Sequence, residues 1–217
     1  MMRLPKYKDG KITKIMDEQT FENILAKAKE YREERRKKHG SDHRFKDVNV
    51  AGLITTFYYL GLRTSEVVGD IPRKYKLKDG TTQKTKTCKG LLKEDVELQG
   101  EYLRIKATEV RKHGSREAPL WLPIGKPGVQ DLIQAWKSAL PNERIFPVST
   151  SYAWRFVKEV TGCYIHYFRL NRASRFTEHP STTIENLKSW FGWVDARTIG
   201  YYMAKGGKET KAMSDRL

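Results

Sequence analysis

Apolar positions along this chain fall into short periodic blocks separated by polar and basic stretches. Phe21, Ile24, Leu25 and Ala28 recur at i, i+3, i+4 and i+7 behind Asp17, which predicts an amphipathic helix capped by that aspartate. Its far end is the run Arg35-Arg36-Lys37-Lys38 before Gly40, where positive charge suits a helix C-terminus. From about Phe45 to Leu60 apolar residues lie nearly all round, with Val48, Leu53, Ile54 and Phe57 among them. That pattern predicts a buried central helix stopped by Gly61. Thr64 or Ser65 caps the next helix, which leaves Arg63 in the joint.

Three strand-like runs follow, Leu91 to Leu98, Tyr102 to Ala107 and Arg116 to Leu122, with turns at Gln99-Gly100 and near His113-Gly114. They predict a small antiparallel meander whose second turn is basic. Pro127 opens a further helix carrying Leu132, Ile133 and Trp136 inward, and Ser149 or Thr150 starts one that reaches about Val160. His166 to about Phe176 is the next helix. Ser181 to Glu185 resembles a capping box leading into a helix with Ile184, Leu187 and Trp190 inward. Asp195 caps a last segment bearing Tyr201 and Tyr202. The fold class is therefore mainly α with a small three-stranded antiparallel sheet, an α+β arrangement without internal repeats. Residues 1–16 read as a basic arm, 17–204 as one domain, and 205–217 as a polar tail after a Gly206-Gly207 hinge.

Composition sharpens the choice of partner. The 217 residues hold 42 Lys and Arg against 26 Asp and Glu, a formal charge of +16. A charge of that size favours a polyanion, nucleic acid first. Residues 71–90 concentrate it, with seven Lys or Arg against Asp79, and read as a flexible loop or an exposed hairpin turning at Asp79-Gly80. Two cysteines, Cys88 and Cys163, supply neither a disulfide framework nor a zinc cluster, and point to a reduced intracellular setting. No apolar run approaches the ~20 residues of a membrane span, and no signal peptide is visible, so a membrane partner is not expected. His39 and His43 have ligand-like spacing, but Gly40 should break the helix between them. Glu209-Thr-Lys211 has the look of a metal-nuclease motif but has no strand beneath it. No metal is expected. Trp121, Trp136, Trp154 and Trp190 read as packing residues.

The candidate chemistry lies toward the C-terminal end. His166 and Arg169 are three residues apart, which on a helix puts both on one face. A tyrosine follows roughly thirty residues later. Cations to hold a phosphate and a phenol to attack it point to phosphoryl chemistry. Arg63, fixed between two packed helices, is placed to meet a phosphate as a bidentate donor, with Glu66 three residues on to orient it.

In order, GLRTSE (61–66), RIFP (144–147), HYFRLNRASRF (166–176) and GWVDARTIGYY (192–202) resemble the boxes of the tyrosine recombinase catalytic domain. This is the integrase family that includes the Cre and Xer proteins, and the resemblance spans roughly 14–204. It implies that fold, and a nucleophile ten residues after Gly192, at Tyr202 rather than Tyr201. It implies phosphate-holding roles for Arg63 and Arg169, and for His166 either acceptance of the tyrosyl proton or a hydrogen bond to the phosphate. Trp193 stands where most of the family has His, as it does in Cre, and its indole N–H can donate but cannot shuttle a proton. The family lysine lies on the turn between the second and third strands. Counting back from Pro119 reaches Arg111, with Lys112 beside it. Lys112 is preferred as general acid because an amine releases a proton more readily than a guanidinium, with Lys106 an outside candidate.

The resemblance further implies site-specific integration or recombination of double-stranded DNA within a tetramer. The intermediate is a 3′-phosphotyrosyl link, made without metal, cofactor or ATP. Such a protein belongs to mobile-element DNA recombination, cytoplasmic and DNA-associated. Arg73, Lys74, Lys84 and Lys86 on the inserted loop, Arg111 and Arg116 on the basic turn, and Arg172 and Arg175 on the His-x-x-Arg helix are the expected DNA contacts. The family's N-terminal clamp domain has no counterpart here, which predicts weak, monomeric behaviour off DNA and a tail free to dock on a neighbouring subunit. Two other readings use the same residues: a DNA-binding protein that kept the fold and lost catalysis, and a type IB topoisomerase or telomere resolvase.

Overall fold

A computed structural model describes residues 15–40, 47–70, 74–76, 79–84, 87–107, 116, 118–179 and 181–193. The expectations for the arm before residue 15, His43, Arg73, Lys86, Arg111, Lys112, Asp195, Tyr201, Tyr202 and the tail lie outside these residues.

Helix α1 is Glu18–His39, and Asp17 caps it as the spacing predicts, its carboxylate accepting the Thr20 N–H at 2.7 Å. The buried stripe is Phe21, Ile24, Leu25 and Ala28. The chain is already packed at Met16, which is buried and whose carbonyl accepts from Arg175, so the arm ends sooner than its composition suggested. Near the other end, Arg32 reaches Asp47 with two bonds of 2.8 Å and Arg36 adds a third of 3.0 Å. The hydrogen bonds from Arg32, then those from Arg36, hold the Asp47 carboxyl down at about 2 despite partial burial.

Helix α2, Val50–Leu60, is buried at every residue. It starts later than the apolar run implied because Asn49 caps it, accepting the Gly52 N–H at 2.9 Å. The same Asn49 amide donates to the Asp131 carbonyl at 2.9 Å, which ties α2 to α4, Val129–Ser138. A Cβ on Gly52 would fall 2.8 Å from that carbonyl oxygen, so the close approach of these helices needs glycine.

Gly61 ends α2 in the left-handed region at φ +60 and donates to the Phe57 carbonyl at 3.0 Å. Helix α3, Thr64–Val68, follows at once. Its N-cap position is Arg63, one residue before the expected cap, because the Glu66 carboxylate turns back to accept the Arg63 N–H at 3.1 Å.

Between α3 and the three-stranded sheet the chain forms a hairpin of β1, Lys74–Lys76, and β2, Thr82–Lys84, in which Lys74 pairs with Lys84. Asp79 shapes the turn by accepting from the Thr81 N–H and hydroxyl at 2.9 and 2.7 Å. The three-stranded sheet runs in the order β3 (Val96–Gln99), β4 (Tyr102–Ile105), β5 (Leu120–Pro123), all antiparallel. The first strand is shorter than expected, because Lys93–Asp95 forms a 3-10 turn and Leu91–Lys93 pairs instead with residues 143–145. The third starts at Leu120 rather than at Arg116. Trp121 points outward, 42% exposed, and packs edge-on against Tyr102 with ring centres 6.3 Å apart and the Arg104 guanidinium 5.9 Å from its ring.

Helix α5 is Thr150–Thr161, capped by Ser149, and α6 is Ile165–Glu178. Helix α7, Ile184–Phe191, takes its reciprocal cap from Thr183 and Asn186, two residues beyond the expected box. That shift leaves Ile184 46% exposed and makes Leu187 and Phe191 the inward pair. Among the described residues the protein thus has seven α-helices, a two-stranded hairpin and a three-stranded antiparallel sheet, a mainly helical α+β fold. No described helix is long and apolar enough to cross a membrane.

Candidate functional site

The α2–α3 joint and the first turns of α6 meet at one buried carboxylate. Glu66 is sealed from solvent, and its Oε1 accepts from Arg63 Nη1 at 2.8 Å. Its Oε2 faces Arg116 Nη2 at 3.8 Å and Arg169 Nη1 at 3.9 Å. A carboxylate desolvated alone would be costly, and three guanidinia around it offset that cost. The four groups together carry a formal excess of positive charge.

Arg169 is held by α2 and α7 together. Nη1 donates to the Gly61 carbonyl at 2.8 Å and Nη2 to the Phe191 carbonyl at 3.1 Å. Its guanidinium also lies 4.9 Å from the Phe191 ring centre and 5.4 Å from that of Trp193, two rings stacked at 4.5 Å. Trp193 is buried, and its backbone N–H donates to the Lys188 carbonyl at 3.0 Å, part of the turn that closes α7.

These groups border a broad cleft of about 1670 Å³, lined by Arg63, Ser65, Arg144, Arg155, His166 and Arg169 among others. His166 is exposed within it, one helical turn from Arg169. Arg63, His166 and Arg169 thus line one cleft, with Glu66 bonded to Arg63 and Trp193 set beside Arg169. Arg144 and Arg155 add cationic lining that sequence reasoning missed. A Cβ on Gly69 would fall 2.6 Å from Arg144 Cζ, so the bare face of that glycine is what makes room for the guanidinium. A glycine closing the arginine-bearing helix, and an arginine opening RIFP, were the available signals.

Trp154 also lines the cleft, 42% exposed, and packs against Tyr164 with ring centres 5.9 Å apart and Lys158 Nζ 4.8 Å above its ring. Trp136 and Trp190 do pack inward, their indole N–H groups each donating to a backbone carbonyl at 3.0 Å.

Three expected DNA contacts are otherwise engaged. Arg116 has no exposed side-chain surface, because it precedes the strand and turns into the interior instead of standing on a basic tip. Arg172 lies 4.3 Å over the Phe176 ring and 5.1 Å over that of Trp190, and burial pushes its guanidinium down to about 10. Arg175 donates to the Met16 carbonyl and covers the Tyr58 ring at 5.1 Å. Each guanidinium has partners distant in sequence: Trp190 for Arg116 and Arg172, Met16 and Tyr58 for Arg175. Lys106 is exposed at the end of β4, where its backbone N–H donates to the Asp95 carbonyl at 2.7 Å. Among the described residues no group of three or more His, Cys, Asp or Glu side chains is placed to hold a metal ion.

No protein-family model matches this chain, and no curated protein matches it either.

Proposed function

We propose that this chain breaks and rejoins DNA by tyrosine recombinase chemistry, on the catalytic-domain fold of that family. The observation that carries the reading is that Arg63, His166 and Arg169, the first over a hundred residues from the other two, line one cleft, with the buried Glu66 behind Arg63 and Arg169.

A phosphodiester resists attack because its anionic oxygens repel nucleophiles and its alkoxide leaves poorly. Arg63 and Arg169 neutralise the non-bridging oxygens and stabilise the charge that grows on the phosphorane, the electrostatic contribution that usually dominates. The Tyr202 phenolate oxygen forms the new bond to phosphorus as the bond to the 5′ oxygen breaks. His166 takes the phenolic proton or holds the phosphate, and Lys112 protonates the departing 5′ oxygen. The phosphotyrosyl ester conserves the bond, so a 5′-hydroxyl from another strand reverses the step without ATP. Pairing of subunits on DNA belongs to the same proposal.

The test is single-turnover adduct formation on nicked DNA carrying candidate attachment sites. Arg63→Gln and Arg169→Gln should each slow the adduct by roughly 10²–10³-fold, the usual cost of one electrostatic donor, with DNA still bound. Adduct at the wild-type rate in both variants would contradict the assignment. Binding without adduct in the wild type would favour a recombinase fold that has lost catalysis.

A further inference from the structure

We infer that Arg116 is a positioning residue, a single buried fork that ties the Glu66 carboxylate, the end of β4 and the last turn of α7 into one unit. Its Nε donates to the Trp190 carbonyl at 2.7 Å, its Nη1 to the Ala107 carbonyl, and its Nη2 faces Glu66 Oε2 at 3.8 Å. The carbonyls at a helix C-terminus have no partner within the helix. Here two consecutive ones, of Trp190 and Phe191, are each taken by a different guanidinium, Arg116 and Arg169. Both guanidinia face the same oxygen of Glu66, so the end of α7 cannot shift without disturbing the carboxylate that orients Arg63.

The geometry requires arginine. A guanidinium presents donors in a fixed planar fork and can serve acceptors on three elements at once, whereas an ammonium acts from one point. Burial lowers the Arg116 pKa and the Glu66 carboxylate opposes that shift. A lysine there could keep the charge but could not span both carbonyls.

The consequence rests on the proposed function. Ala107 is where the connection bearing Arg111 and Lys112 begins, and Trp190 stands just before the Trp193-to-Tyr202 segment. One side chain therefore anchors the root of the proposed general acid and the root of the proposed nucleophile against the phosphate-holding arginines.

The experiment compares wild type, Arg116→Lys and Arg116→Gln in the full chain. The readouts are thermal unfolding, DNA affinity, single-turnover adduct rate at saturating DNA, and residue-resolved amide exchange. The expected result is DNA affinity within about threefold of wild type and adduct formation slowed roughly 100-fold, as for a reacting group displaced by about 1 Å. Exchange should rise selectively at residues 190–193 and 107. Wild-type adduct rate and exchange in Arg116→Lys would overturn the inference, as would exchange raised evenly across the chain. If the wild type itself forms no adduct, the functional reading fails while the exchange pattern still decides the positioning role. If neither variant folds, exchange of the wild type in mild denaturant decides. Residues 107 and 190–193 must open as one cooperative unit, and separate opening would refute the coupling.

Discussion

At the scale of single residues the site is organised by Glu66. Its side chain touches no solvent, yet it faces three guanidinia that come from a helix joint, the approach to β5 and α6. Glu66→Gln keeps the shape and removes the charge, leaving three cations crowded in a buried space. The expected cost is about 3–5 kcal/mol, as for breaking a buried ion network from one side. Chemical denaturation checks it, and a loss under about 1 kcal/mol would mean that the guanidinia repel little without their carboxylate. Asp47 makes a pH-dependent prediction. Its folded-state pKa is depressed from 3.8 to about 2. The stability it contributes is therefore present above about pH 4 and is lost as pH falls toward 2. Partial exposure and screening hold that contribution to roughly 1 kcal/mol or less. Melts between pH 5 and 2 should show a steeper acid limb in the wild type than in Asp47→Asn.

At the scale of elements, local rules worked wherever a cap or stripe is written in neighbouring residues. Asp17, Ser149, the Asp79-Gly80 turn and the Gly61 stop could all be read because each depends on bonds spanning a few residues. The His166–Arg169 pairing was legible for the same reason, since helical spacing alone puts them on one face. Arg116 was misread because strand alternation predicts a face only once the strand's start is known, and β5 begins four residues later. Arg144, Arg155 and Trp154 were missed because they reach the cleft through packing between α3, α5 and the 143–148 segment, which no local period encodes. The hairpin of β1 and β2 makes its own prediction, resting on the proposed function. Deleting residues 71–90 should weaken DNA binding and flatten its salt dependence, as expected if several of its seven Lys and Arg neutralise phosphates. Unchanged affinity and salt slope would exclude the hairpin from the interface.

At the scale of the whole molecule, charge and architecture serve one purpose in this account. On the proposed function, a formal charge of +16 would steer the chain to a polyanion, and the cleft is lined by Arg63, Arg144, Arg155 and Arg169 beside an exposed histidine. Contacts to six to ten phosphates would make affinity fall roughly 10³–10⁵-fold between 50 and 200 mM salt. The central claim is that the phosphate held there is attacked by Tyr202. The most direct measurement is covalent trapping on nicked DNA in EDTA, resolved under denaturing conditions, for wild type, Tyr202→Phe and Tyr201→Phe. The account predicts a protein–DNA band in the wild type and Tyr201→Phe that disappears in Tyr202→Phe. A band that survives Tyr202→Phe, or one that EDTA abolishes in the wild type, would contradict it.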